Sequence, residues 1–197
     1  MISGYGFESI YLDHAKLPQY YPFLPGYEHG FSVENIPSKH STLKHLSKVY
    51  FCWGERVYKN ILSETLKKPI KTGAPFLIFR KKEKIIKDIK KKTLFFPSHT
   101  TDKISQNLSP MDIHRMIEKV DNDFKPIDIC LHWIDYKNDK SAYEKLGYNI
   151  LCAGKIFSNN FVKNFYNIIK NYEFSMSNKI GTYILYSLDL AIPFSLI

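Results

Sequence analysis

From Thr93 onward, short apolar runs alternate with segments of helical periodicity, and this alternation restricts the possible folds more than any other feature of the sequence. The apolar runs predict strands at residues 93–96, 127–131, 148–153, 174–176 and 193–197. Strands that alternate with helices pair in parallel through right-handed crossovers. The sequence therefore predicts an α/β fold with a Rossmann-like, doubly wound parallel sheet, in which the hydrophobic last strand is central.

The intervening helices have local start signals. Ser109, Pro110 and Asp112 predict a helix N-terminus, with a serine N-cap, a proline in the first position and an acid in the third. Further helices are predicted over residues 141–146, 161–172 and 181–190. Residues 1–79 are less regular, with a Tyr- and Pro-rich opening, a strand at residues 49–53, a helix at residues 57–66 and a short strand and turn at residues 70–76.

The chain is basic, with 28 Lys and Arg against 19 Asp and Glu, a formal charge of +9 over 197 residues. Residues 80–92 contribute eight basic and two acidic side chains, a net +6. Such a segment is typical either of contact with nucleic-acid phosphates or an anionic membrane, or of a solvated helix that joins two parts of a molecule. The spacing of Ile85, Ile86 and Ile89 favours the solvated helix. The apolar runs are too short to span a bilayer and the first residues lack a signal-peptide pattern, which predicts a cytoplasmic protein.

Several common motifs are absent from the sequence. There is no GxGxxG, GxxxxGK[ST] or GxSxG, and no His or Cys cluster at metal spacing. We therefore expect neither a cofactor nor a metal site.

Small polar residues follow the predicted strands, at the edge where open α/β sheets bind ligands. They are Ser98, His99, Thr100 and Thr101; Gly154 and Lys155; and Ser177, Asn178, Gly181 and Thr182. Hydroxyls and a glycine before a helix suit phosphate oxygens, although caps and tight turns use the same residues. His29, followed by Gly30, is a candidate general base or an ordinary surface histidine. Glu28 would orient its ring or be solvated.

Several blocks resemble GT-B type glycosyltransferases, in the surface-polysaccharide branch that includes CDP-glycerol glycerophosphotransferase-like enzymes. Glu28-His29-Gly30 is similar to the Gln-His-Gly loop of that branch, and residues 49–55 with 71–75 resemble its strand, helix and G-x-P stretch. Phe95 to His99 resembles the first strand of the donor domain, and residues 176–182 with 191–193 resemble the block that holds the pyrophosphate. Glu28, Asn178 and the pair Gly181-Thr182 depart from the family pattern.

The resemblance implies a glycosyltransferase-like enzyme of bacterial capsule, lipopolysaccharide or teichoic-acid synthesis, which transfers a sugar or polyol phosphate from a nucleotide-activated donor to an acceptor hydroxyl. His29 would be the base and His99 would stabilise the leaving phosphate. Gly154 and Lys155 would flank the nucleotide, and the hydroxyls at residues 98–101 and 177–182 would hold the donor phosphates.

The resemblance also implies a division into a partial, irregular acceptor-side segment at residues 1–79, a basic linker helix at residues 80–92 and a Rossmann-like nucleotide-sugar-binding domain at residues 93–197. Family members have about twice this length. We therefore expect a truncated copy, a fragment, or half of a split enzyme that a partner chain completes. Residues 80–92 would place it at the inner face of the membrane, near a lipid-linked or saccharide acceptor. The alternative is a non-catalytic module of the same fold that binds a nucleotide sugar or nucleic acid.

Overall fold

The computed structural model describes residues 4–28, 30, 47–99 and 108–197. Seven α-helices and eight strands lie within these residues. The strands form two parallel sheets, one of three strands in the order β1-β2-β3 and one of five in the order β6-β5-β4-β7-β8. The protein is thus an α/β protein with a Rossmann-like fold, as the alternation of strands and helices predicted.

The first sheet and its helices occupy the N-terminal part of the chain. In chain order, its elements are α1 (Phe7–His14), β1 (Gly26–Tyr27), β2 (Val49–Cys52), α2 (Glu55–Glu64), β3 (Lys68–Lys71) and α3 (Pro75–Glu83). The expectation of an irregular N-terminal segment was therefore wrong, because three parallel strands and three helices form there. Helix α1 was missed, although Phe7, Ile10 and Tyr11 are buried along one side of it.

The second sheet is built from the alternating half of the sequence. Its elements are β4 (Lys91–Phe96), α4 (Pro110–Glu118), a 3-10 turn (Asn122–Phe124), β5 (Ile127–Cys130), α5 (Trp133–Lys145), β6 (Ile150–Leu151), α6 (Phe161–Ile169), β7 (Tyr172–Ser177), α7 (Tyr183–Asp189) and β8 (Phe194–Leu196). Strand β4 is central and pairs with β5 on one side and β7 on the other. The carboxyl ends of β4 and β7 are therefore neighbours.

Two sequence predictions about this half were wrong. Strand β8 was expected to be central, but it lies at the sheet edge, paired only with β7, and two of its three residues are exposed. Helix α5 begins at Trp133, eight residues before the predicted start at Ser141. Its N-cap residue, His132, makes no side-chain capping hydrogen bond, so the usual local signal for a helix start is absent.

The basic segment at residues 80–92 is not one helix. Helix α3 ends at Glu83, Lys84 takes a left-handed conformation with a φ of 50°, and β4 begins at Lys91. Most of its cations have partners: Arg80 pairs with Asp189, Lys82 with Asp13, Lys90 with Asp88, Lys91 with Asp128 and Lys92 with Glu173. Internal pairing offsets much of the charge that the sequence concentrates there.

No helix among the described residues has the length and apolar character needed to cross a membrane.

Candidate functional site

A pocket of about 130 Å³ lies at the carboxyl edge of the five-stranded sheet. Its walls come from the residues after β4, β5 and β6, from the start of α7 and from the start of α1. The chain order of the strands reverses between β4 and β7, and in open α/β sheets ligands bind in the crevice at such a reversal. The pocket therefore occupies the position where this kind of fold binds ligands.

The pocket wall is mainly aromatic. Phe96 stacks on Tyr183 with ring centroids 4.9 Å apart and planes 6° apart, and Phe165 packs against both Phe96 and Tyr186. From the N-terminal part of the chain, Tyr5 and Phe7 complete the wall. Such a surface suits a flat or apolar group, which gains free energy when it leaves water.

Two polar side chains, His99 and His132, also line this pocket. The rings of His99, after β4, and His132, after β5, stack with centroids 4.6 Å apart. The pKa of His99 is lowered, first by desolvation of its ring and then by the positive charge of Lys179. Near neutral pH His99 is therefore uncharged, so it can donate one hydrogen bond and accept another but adds no positive charge.

Trp133 is the first residue of α5 and also lines the pocket. Its Nε1 atom is buried and has no hydrogen-bond acceptor within the described part of the chain. A buried donor without an acceptor costs free energy.

The polar residues predicted to hold phosphate are brought together, but they bond to the protein. The Ser98 N–H donates to Asn178 Oδ1 over 2.7 Å, and Asn178 Nδ2 donates to Ser98 Oγ over 2.8 Å. Ser177 is fully buried and donates through Oγ to the Phe96 carbonyl over 2.6 Å. These side chains tie the carboxyl ends of β4 and β7 together, so a phosphate would have to displace bonds that already exist.

Tyr183 explains why residue 181 is a glycine. The Tyr183 ring folds back over Gly181, where a Cβ atom would lie 2.6 Å from Tyr183 Cε1. The Tyr183 hydroxyl lies 2.7 Å from Ser177 Oγ and donates to the Lys179 carbonyl. Gly181 thus fits a tight turn closed by an aromatic ring, and no local sequence signal indicates that Tyr183 closes it.

The remaining predicted residues divide between the pocket, the surface and the undescribed part of the chain. Gly154 and Thr182 line the pocket, whereas Lys155 is exposed and does not. His29, Thr100 and Thr101 lie outside the described residues. Gly30, however, lies beside the start of α7, because a Cβ atom on it would be 3.6 Å from Thr182 Oγ1.

Glu28, directly after β1, is not solvated. It is buried, and its Oε2 atom accepts a hydrogen bond from the Trp53 N–H over 2.8 Å. Burial raises the pKa of Glu28, although the Trp53 N–H and the charge of Arg56 act in the other direction. Glu28 therefore links the carboxyl ends of β1 and β2.

Among the described residues, no group of three or more His, Cys, Asp or Glu side chains is arranged to hold a metal ion. Comparisons with protein-family models, with curated proteins and with solved structures found no match to this chain. The fold and the pocket define the class, a Rossmann-like α/β protein with a pocket at the carboxyl edge of its larger sheet.

Proposed function

We propose that this chain binds a nucleotide-activated sugar or polyol in the pocket at the carboxyl edge of its five-stranded sheet, as a GT-B type glycosyltransferase-like protein of surface polysaccharide synthesis. The observation that carries the proposal is the position of the pocket at the reversal of strand order between β4 and β7. The resemblance of residues 95–99 and 176–182 to a donor domain falls on the same edge.

The structure changes how this donor site would work. Because Ser98, Ser177 and Asn178 are bonded to the protein, they shape the edge of the site. The exposed ammonium of Lys179, whose positive charge acts on His99, would be the cation that meets the donor phosphates. Neutral His99 would donate a hydrogen bond to a phosphate oxygen, and the aromatic wall would cover the uncharged part of the donor.

In the proposed transfer, the oxygen of the acceptor hydroxyl forms a bond to the transferred sugar carbon or polyol phosphorus. The bond from that atom to the nucleotide phosphate breaks, and its electron pair leaves with the phosphate. The acceptor proton would pass to His29, the general base that the family resemblance implies. Gly30, the residue after this histidine, lies beside Thr182 at the pocket.

A thermal-shift screen against UDP, CDP, GDP, CMP and their sugar or polyol conjugates tests the donor site. A true ligand at about 100 times its dissociation constant adds about 2.7 kcal/mol to the free energy of unfolding. We expect Lys179→Gln to weaken that ligand about tenfold, because a charged hydrogen bond to phosphate is lost. Lys119→Gln removes an exposed lysine at the end of α4 and should change nothing. A wild-type protein that responds to no nucleotide would contradict the proposal.

A non-catalytic binding module is the second candidate, because the side chains expected to hold the donor phosphates are already bonded within the protein. The substitution His29→Ala separates the two. In an enzyme it abolishes turnover and leaves donor affinity unchanged, whereas a binding module shows no turnover before or after the change. A nucleic-acid module would instead bind RNA or DNA with an affinity that falls steeply as salt rises.

A further inference from the structure

The loop that follows α1 carries apolar and aromatic side chains that point into solvent. Tyr20 is 88% exposed, Leu24 62% and Tyr21 50%, and Leu17 is also exposed. A group of large exposed apolar side chains on a folded protein marks a surface that meets another molecule.

This loop is fixed to the molecule. Phe23 stacks on Tyr11 with ring centroids 5.7 Å apart and planes 12° apart, and it packs edge-on against Phe51. Ser9 Oγ donates to Gln19 Oε1 over 2.6 Å, and Gln19 Nε2 donates to the Ser9 carbonyl over 3.2 Å. The neighbouring tyrosines are thus held at the surface between two anchored residues.

Lysines at the end of α3 lie near the end of α1, where this loop begins. Lys82, at the end of α3, reaches Asp13 with Nζ 2.5 Å from Oδ2. Ser9 and Asp13 are four residues apart on α1 and therefore lie on the same face of this helix. Gln19 of the loop contacts that face at Ser9, and Lys82 at the end of α3 contacts it at Asp13. Lys81 and Lys84, on either side of Lys82, have no ion pair within the described residues.

The surface can be defined by the residues that it contains. We name it the tyrosine patch, and it comprises Leu17, Tyr20, Tyr21 and Leu24 with Lys16, Lys81, Lys82 and Lys84. Asp13 and Glu83 are its acidic members, which leaves it a net +2. The lysines further along the basic segment are occupied, since Lys87 donates to the Ala191 carbonyl and the next three pair with carboxylates.

We propose that the tyrosine patch docks this protein on an anionic lipid surface. Tyrosine suits the membrane interface, because its ring enters the acyl boundary while its hydroxyl stays among the headgroups. Unpaired lysines at the rim add electrostatic attraction to anionic lipids. The excess of positive charge around exposed tyrosine and leucine favours a lipid surface over a protein partner. This docking is independent of nucleotide binding, and it does not involve the paired lysines at residues 90–92.

Co-sedimentation of the full chain with lipid vesicles tests this docking. One set of vesicles contains phosphatidylcholine alone and the other adds about 30 mol% phosphatidylglycerol. We expect binding to the anionic vesicles alone, and weaker binding as salt rises. The double variant Tyr20→Ser/Tyr21→Ser should lower the partition coefficient about tenfold or more, because two ring contacts with the interface are lost. Lys81→Gln and Lys84→Gln should each lower it about fivefold.

Matched controls keep the test specific. Leu66→Ser removes a fully exposed leucine after α2, and Lys145→Gln removes an exposed lysine at the end of α5, so neither should change binding. All the substituted side chains in the tyrosine patch are at the surface, and unchanged circular dichroism will show that the variants fold. Three results would overturn the proposal. They are a wild-type protein that does not bind anionic vesicles at all, a double tyrosine variant that binds as tightly as the wild type, and a Leu66→Ser variant that loses as much binding as the double tyrosine variant.

Discussion

At the scale of single residues, Glu28 is the clearest case of a buried charge. Its carboxylate accepts the Trp53 N–H, but burial still raises its pKa. The folded protein therefore holds this proton more tightly than the unfolded chain. Glu28 favours the folded state at low pH, and that contribution is lost as the pH rises through the raised pKa.

The substitution Glu28→Gln tests this electrostatic cost. The amide oxygen can still accept the Trp53 N–H, but the group no longer ionises. We expect the unfolding free energy of the variant, relative to wild type, to increase as the pH rises from about 4.5 through the raised pKa, by about 1.4 kcal/mol for each unit of pKa shift. Urea denaturation across this range measures it. Glu64→Gln, at an exposed position of α2, is the control for replacing a glutamate by glutamine at the surface. A stability difference for Glu28→Gln that does not change with pH would refute the electrostatic cost.

The polar residues at the sheet edge show how far single-residue reasoning extends. The sequence placed Ser98 and Asn178 at the ends of two strands, and the structure has them there. The sequence could not show that Ser98 and Asn178 bond to each other. They are 80 residues apart in the chain, and they meet only because β4 lies beside β7. Local sequence therefore identified the edge, while the tertiary fold decided which groups remain for a ligand.

At the scale of elements, local signals predicted helix starts and failed where they were absent. The capping box was predicted, and Ser109 and Asp112 bond each other's backbone at the start of α4. Helix α5 has no such box, and its start was missed. The predicted central position of β8 was wrong for another reason. Its apolar residues indicated a strand, but the order of strands in a sheet depends on the crossover connections, which no local sequence pattern shows.

The start of α1 provides a test of close packing between elements. Gly6 has a φ of 71°, and a Cβ atom there would lie 2.9 Å from the backbone of Asn159, before α6. Gly73 has nearly the same φ, 74°, but open space around it. We expect Gly73→Ala to cost about 1 kcal/mol, the price of a left-handed alanine. Gly6→Ala should cost at least about 2 kcal/mol, because Asn159 backbone must also move.

Denaturant unfolding of the two glycine variants gives both values under one set of conditions. Equal losses of stability would mean that the close contact between Gly6 and the Asn159 backbone does not contribute to the free energy of unfolding. A larger loss for Gly6→Ala would show that this approach holds Tyr5 and Phe7 in the pocket wall.

At the scale of the whole molecule, one apolar core joins the two sheets. Phe7, Ile10 and Tyr11 of α1 belong to the same buried cluster as Leu94 and Phe96 of β4. Trp53, after β2, packs edge-on against Phe76, which stacks on Tyr186 of α7 with centroids 4.4 Å apart. The division into segments at residues 1–79, 80–92 and 93–197 stays a prediction, and this core contains residues from both sides of its boundaries.

The shared core predicts that both parts of the molecule unfold in one transition. Trp53 reports on the first part and Trp133 on the second, so Trp133→Phe and Trp53→Phe give two proteins with one tryptophan each. In each of them, tryptophan fluorescence and far-ultraviolet circular dichroism should have the same urea midpoint.

Phe76→Ala, which removes the ring between Trp53 and Tyr186, should lower both fluorescence midpoints together, with a loss of about 3–5 kcal/mol. The control Leu62→Ala, at an exposed position of α2, should move neither midpoint. If Phe76→Ala lowered only the Trp53 midpoint, the first part would be an appendage on an independently stable domain, and the pocket wall that Tyr5 and Phe7 supply would be separable from the site.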